Sequence, residues 1–203
     1  MAGGRGSRLG GAKATALLAG RPLIAYPLAA LAAAGIDAFV VAKGGSELRG
    51  RPLARRTGPK TIAPALDEVD VVVEPPEPTH PLAGIVAALR HAGAPLVVVG
   101  CDFPFVPPAL LRLLAGAPEP LVVPAPGGAA QPLVARWTPA LLPRLEDALA
   151  REEPLRRTVA ALAPRLLDEE LAPFGDPARV FFNVNTPADL RRAEGAVSSP
   201  DGD

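Results

Sequence analysis

The chain has 203 residues, 49% of them hydrophobic, enough to bury one substantial core and in keeping with a single domain. Its 21 Lys and Arg balance 21 Asp and Glu, and no long basic block breaks that balance, which argues against nucleic acid and membrane partners. Apolar stretches are interrupted by Pro or Gly before spanning length, no secretory signal pattern is visible, and the lone Cys101 with His80 and His91 offers neither a disulfide nor a thiolate zinc cluster. The expectation is a cytoplasmic protein whose metal, where one is used, is a hard ion on oxygen ligands.

In chain order, the first segment of interest is Ala2-Gly3-Gly4-Arg5-Gly6-Ser7-Arg8-Leu9-Gly10-Gly11-Ala12-Lys13. Its five glycines let backbone amides turn toward an anion, and Arg5, Arg8 and Lys13 add charge that pairs with a polyphosphate. Composition alone fits a solvated amino terminus equally well, and the spacing is neither the dinucleotide fingerprint nor the P-loop. Beyond it, strand-length apolar runs alternate with segments of helical periodicity, the pattern of an α/β fold with a mainly parallel sheet. Strands are predicted at 38–42, 70–74, 96–100, 121–124, 132–137 and 179–182. Helices are predicted at 22–34, 82–92, 107–115, 139–151, 155–163 and 187–196, with Gly35 and Gly116 as stop residues after the first and third. Residues 43–66, rich in Arg, Gly and Pro, read as loop with room for one short helix. One domain is expected over 1–197, followed by a disordered tail over 198–203.

In such a sheet ligands gather at the carboxyl ends of the strands. Asp102 follows the apolar strand directly, where a carboxylate either binds magnesium completed by phosphates or caps the next helix. Cys101 reads as a small packed residue, because no neighbour in sequence lowers its pKa. Alternation places Asn183 and Asn185 on one side of an extended segment, able to hold phosphate oxygens or metal-bound water. The other reading of that motif is helix capping by Thr186 with Pro187 in the first turn, which leaves the two asparagines unexplained. At His80-Pro81-Leu82-Ala83-Gly84-Ile85 a helix amino terminus could face a base or phosphate, while His80 itself reads as a local hydrogen-bonding residue.

Taken together, Ala2 to Lys13, Pro81 to Ile85, Cys101 to Phe105 and Asn183 to Pro187 resemble the signatures of the molybdenum cofactor guanylyltransferases, across nearly the whole chain. Gln131 to Ala135 and Leu155-Arg156-Arg157 resemble two further family segments. The resemblance implies a three-layer, Rossmann-like nucleotidyltransferase fold. It also implies transfer of GMP from GTP to molybdenum-loaded molybdopterin with release of pyrophosphate, Mg2+ as cofactor, and molybdopterin-carrying proteins or molybdoenzymes as possible partners. Ala2, Gly3, Gly4, Arg8, Lys13, Glu74, Gly84 and Asp102 would then hold the nucleotide, with Lys13 and Asp102 catalytic and Asp102 on the metal. Arg157, Asn183 and Asn185 would face the pterin or the reacting phosphates.

Three positions depart from the family's pattern. Ala12 stands in place of an acidic residue before Lys13, Pro75 in place of an aspartate that reads guanine, and His80 in place of a glycine. Either Glu74 or Glu77 therefore takes the base-reading task, or base selection is looser. Competing readings are a transferase for cytidylate or another phosphorylated acceptor, and a non-catalytic protein that binds or escorts the cofactor. The family's glycine signature is launched from an apolar first strand, so the expectation is that Met1 is not the natural first residue and an apolar segment precedes Ala2, or else that the chain as given is compromised.

Overall fold

The computed structural model of the chain describes residues 5–6, 11–44 and 69–198. Ala2, Gly3, Gly4, Arg8 and the predicted loop over 45–66 lie outside the described residues.

Arg5–Gly6 (β1) pairs antiparallel with Gly11–Ala12 (β2), and a 3-10 turn at Lys13–Thr15 follows. Leu17–Leu18 (β3) and Arg21–Pro22 (β4) then form a hairpin whose turn residues Ala19 and Gly20 have φ of 49° and 75°. Positive φ at both central positions gives the twist that a two-residue hairpin requires. This hairpin takes up the residues from which the first helix was predicted to start, so α1 spans Ala25–Ala34. Gly35 ends it as expected, in the left-handed region at φ 75° with its N–H donated to the carbonyls of Leu31 and Ala32.

Val40–Lys43 (β5) runs parallel to Val71–Glu74 (β6), with Val40 opposite Val71 and Lys43 opposite Glu74. Helix α2, Pro81–Ala92, begins with Pro81 in its first turn and is capped by His80, whose Nδ1 accepts from the Leu82 N–H at 3.2 Å. The second half contributes Leu96–Val99 (β7), Pro108–Gly116 (α3), Leu121–Pro124 (β8), Val134–Trp137 (β9), Leu142–Ala150 (α4), Leu155–Ala161 (α5) and Arg165–Leu167 (β10). These strands form a mixed sheet in the order β10-β8-β9-β7, with β10 parallel to β8 and β9 antiparallel to both its neighbours. Two more helices close the chain, α6 at Pro177–Val180 and α7 at Pro187–Ser198.

Alternation along the strands sorts the core into two sides. In β8, Leu121 and Val123 pack with Leu82, Ile85 and Leu89 of α2 and Leu145 of α4. Between them Val122 packs with Leu110, Leu111 and Leu114 of α3 and Leu31 of α1. Period-two alternation with helices on both faces makes a three-layer α/β architecture. Trp137 is fully buried in the first cluster, and its indole N–H donates to the Pro132 carbonyl at 3.3 Å. Among the described residues no helix is long and apolar enough to cross a membrane.

Three predicted features are corrected. The strand expected at 179–182 is instead helix α6 and the turn after it, because the Asp176 carboxylate caps the Ala178 N–H at 2.9 Å and Pro177 presets the first helical φ. Strand β10 was not among the predicted strands; it is three residues long and buries only Leu167, so it carries almost no alternation. Gly116 is the last residue of α3 rather than a left-handed stop, and the helix ends because Ala117, extended at ψ 141°, precedes Pro118.

Candidate functional site

Three segments far apart in sequence meet where Lys13, Asp102 and Asn185 converge. The Lys13 ammonium lies 2.8 Å from Asp102 Oδ2 and also donates to Asn185 Oδ1. Both charged side chains are 13% exposed, so the pair is largely shielded from water and its attraction is stronger than that of a surface ion pair.

Each partner is held by its local structure. Asp102 sits in the turn that follows β7, where the Gly100 N–H donates to the Leu133 carbonyl and the Phe103 N–H to the Gly100 carbonyl. A Cβ on Gly100 would stand 2.4 Å from Asp102 Oδ1 and 3.0 Å from the Phe103 ring, so only glycine admits the carboxylate in this position. Asn185 is fixed by the start of α7. Asp189 Oδ2 accepts from the N–H groups of Asn185 and Thr186 and from the Thr186 hydroxyl, while Thr186 Oγ1 accepts from the Asp189 N–H at 3.1 Å. This reciprocal cap fixes the entry of the helix, and the hydrogen bond from Thr186 first, with the Asn185 amide, holds the Asp189 carboxyl below its ordinary pKa. Between the asparagines, Val184 is fully buried against Leu18, Leu23 and Ala193, and its N–H donates to the Asp102 carbonyl at 2.9 Å. The cap thus fixes the backbone that carries Asn185 to Lys13.

The remaining predicted residues are placed differently. Among the described residues Asn183 Oδ1 is buried and has no hydrogen-bond partner. Glu74 ends β6, is 6% exposed, and lies 4.0 Å from Lys43. Burial raises its pKa, against the lowering pull of Lys43. Gly84 is buried near the start of α2. Arg157 is not drawn into the cluster: its side chain is 80% exposed on α5 and pairs with Glu153 at 3.3 Å. His80 is a helix cap, as its local hydrogen-bonding reading expected. Cys101 is buried, and desolvation, with the neighbouring Asp102 charge, pushes its thiol up to about 11, which removes it as a thiolate nucleophile. Lys43 was not singled out from the sequence; the signal available was its place opposite Glu74 at the end of a parallel strand pair.

Among the described residues no cluster of three or more His, Cys, Asp or Glu side chains could hold a metal. What the site does offer is one carboxylate with amide oxygens, hard donors that suit a magnesium ion whose remaining positions are filled by phosphates and water. Asp102 and Asn185 supply donors of that kind, and both oxygens accept from the Lys13 ammonium in this structure.

With this geometry in hand, known proteins can be compared. The probable molybdenum cofactor guanylyltransferase of Pelotomaculum thermopropionicum is 33% identical over 203 residues, covering 95% of this chain and 89% of that protein. The molybdenum cofactor guanylyltransferase of Rhodobacter capsulatus is 33% identical over 205 residues, covering 96% of this chain and 92% of that protein. Among solved structures, the molybdopterin-guanine dinucleotide biosynthesis protein A of Archaeoglobus fulgidus superposes with a TM-score of 0.74 at 28% identity, over 97% of this chain and 96% of that one. Since the profile of the MobA-like NTP transferase domain also matches residues 1–166, the chain belongs to the MobA-like NTP transferase family.

Proposed function

We propose that this protein is a molybdenum cofactor guanylyltransferase: the terminal phosphate oxygen of molybdenum-loaded molybdopterin attacks the α-phosphorus of GTP, the bond to the β-phosphate oxygen breaks, and pyrophosphate leaves. The observation that carries the reading is the convergence of the shielded Lys13–Asp102 pair with the exposed Asn185, in a family whose relatives are named for this transfer. In-line displacement needs alignment and neutralisation of charge rather than a covalent nucleophile, and the inert Cys101 beside the cluster agrees with that.

Each residue has a part. Lys13 balances phosphate charge, and Asp102 holds the magnesium ion. Bound there, Mg2+ supplies neutralisation of the developing phosphate charge. Asn185 orients Lys13, and Asn183, two residues before it, serves the pterin or phosphate side. Glu74, with Lys43 beside it, reads the guanine edge; a carboxylate accepts from the two N–H donors that distinguish guanine. The start of α2 near Gly84 faces the nucleotide, the backbone at Ala2, Gly3 and Gly4 with Arg8 cradles the phosphates, and Arg157 serves the pterin side.

Thermal unfolding in magnesium with GTP, CTP and ATP in turn tests the base assignment. GTP at about 100 times its dissociation constant should add roughly 2.7 kcal/mol of stability, with far less from the other two at the same concentration. Equal protection by all three would remove the guanine assignment and leave the transferase class standing.

A further inference from the structure

The ligand end of the molecule has two halves, one on each side of Asp102. Its neighbour Cys101 packs with Val40 and Ala42 of β5, so the β5–β6 pair, ending in Lys43 and Glu74, lies on one side. On the other side the sheet continues from β7 through β9 and β8 to β10. Of these strands β9 alone runs against the rest, so β7, β8 and β10 all end at the same edge. In the transferase reading the nucleotide takes the first half, from Lys13 and Asp102 toward Glu74, which leaves the second half to the acceptor. Standing there are the turn after β8, residues 125–131, and Asp168, directly after β10. At about 4.8 Å per strand the turn lies roughly 10 Å from Asp102, and Asp168 roughly 14 Å.

That turn is held to one shape. Gly127 and Gly128 take left-handed φ of 57° and 80°, a conformation that favours glycine. The N–H groups of Ala125, Gly128, Ala129 and Gln131 donate to the main-chain carbonyls of Leu167, Ala125, Pro126 and Pro124. The Gly127 N–H is tied differently, to Asp168 Oδ1 at 3.0 Å, 41 residues away in sequence. Asp168 stands at the start of the 3-10 helix Glu169–Phe174, where an aspartate ordinarily accepts from the amides of its own helix. Among the described residues it makes no such cap, and its carboxylate reaches across to the turn instead. A Cβ on either glycine would meet nothing within 4 Å, so the space over the turn is open.

We propose that Asp168 is a positioning residue for the acceptor: by holding the Gly127 N–H it fixes the turn against which the fused rings of the acceptor lie when its phosphate is at Asp102. This rests on the transferase reading, which supplies an acceptor for this half of the edge. Gly127, Gly128 and Ala129 are exposed and carry nothing larger than a methyl group, so a flat ring system can approach their main chain. Glycines also have the most conformational freedom to lose, and a turn built on two of them needs an outside tether to stay formed. Without the carboxylate the acceptor would have to order the turn as it binds, at the expense of its own affinity. The nucleotide lies on the far side of Asp102 and would not share that loss.

The test compares the parent with Asp168→Ala and Asp168→Asn, measuring the binding of molybdenum-loaded molybdopterin without nucleotide and, separately, of GTP with magnesium. Asp168→Ala should weaken the acceptor about fivefold to tenfold while GTP stays within about twofold of the parent. Amide exchange at Gly128 and Ala129 should quicken at least about fivefold. Asp168→Asn keeps an oxygen that accepts from Gly127 and should return acceptor binding to within about twofold of the parent. In turnover the loss in Asp168→Ala should appear as a raised KM for the acceptor, with kcat close to that of the parent. Unchanged acceptor affinity in Asp168→Ala, equal weakening of both ligands, or no rescue by asparagine would overturn the proposal, as would a parent that binds no acceptor. The transferase reading fails separately, through a parent that binds both ligands yet releases no pyrophosphate.

Discussion

Removing the Asp102 carboxylate separates a metal-holding role from a merely structural one. In Asp102→Ala the Lys13 ammonium keeps Asn185 Oδ1 but loses a carboxylate at 2.8 Å, in surroundings where each side chain of the pair was 13% exposed. At an effective dielectric of about 20 the lost attraction is roughly 6 kcal/mol before desolvation is counted. Both charges lost water on folding, and breaking one side of a buried pair costs about 3–5 kcal/mol net, so the remaining amide acceptor puts this variant near the lower end, about 3 kcal/mol. For a chain of this length that corresponds to a fall in melting temperature of roughly 6–12 °C. Asp102→Asn keeps the shape and should lose less stability, yet both variants should lose turnover by about a hundredfold to a thousandfold, the usual effect of removing one electrostatic stabiliser. Lys13→Ala should behave likewise, and the double variant should be less unstable than the sum of the singles, because the second change removes the charge stranded by the first. Circular dichroism melts and pyrophosphate release with GTP and loaded molybdopterin give the two readouts. Turnover of Asp102→Asn within about threefold of the parent would refute the metal assignment and return Asp102 to a structural pairing role.

Gly100→Ala should act on the same carboxylate without touching it. Its Cβ would meet Asp102 Oδ1 at 2.4 Å while the buried Phe103 ring blocks the other side, so Asp102 must turn away; turnover should fall at least about tenfold with roughly 1–3 kcal/mol of stability, and unchanged kinetics would contradict the geometry. Glu74→Gln tests pH linkage. Burial raises the Glu74 pKa despite Lys43, so the stability linked to this group is complete below the unfolded pKa and is lost as pH rises through the higher folded one. The variant should therefore match the parent near about pH 4 and exceed it near about pH 7, while its protection by GTP shrinks. Melting curves across that range check the first part, and a variant less stable at neutral pH would show that the Lys43 attraction outweighs burial.

What the sequence disclosed depended on how locally each feature is determined. The turn after β7 was legible because a glycine and a carboxylate directly after an apolar run fall at the ligand end of a strand, and the start of α7 because threonine, proline and aspartate spell a helix entry. The second motif offered two uses, capping and ligand binding, and the cap is seen to position the asparagine on which the second use depends. Thr186 and Asp189 fix the backbone at Asn185, buried Val184 ties that backbone to the Asp102 carbonyl, and Asn185 then reaches Lys13. The partnership of residues 13, 102 and 185 itself is a product of topology, and the resemblance rather than any spacing pointed to it. Arg157 shows the opposite case: its basic stretch matched a family segment, and its exposed place on a helix surface beside Glu153 is something a short charged run does not disclose. The split between β5 and β7 follows the same logic on a larger scale. Each strand announces itself by β-branched residues, yet which strands adjoin is decided by helices packing on both faces, which no single segment of sequence displays.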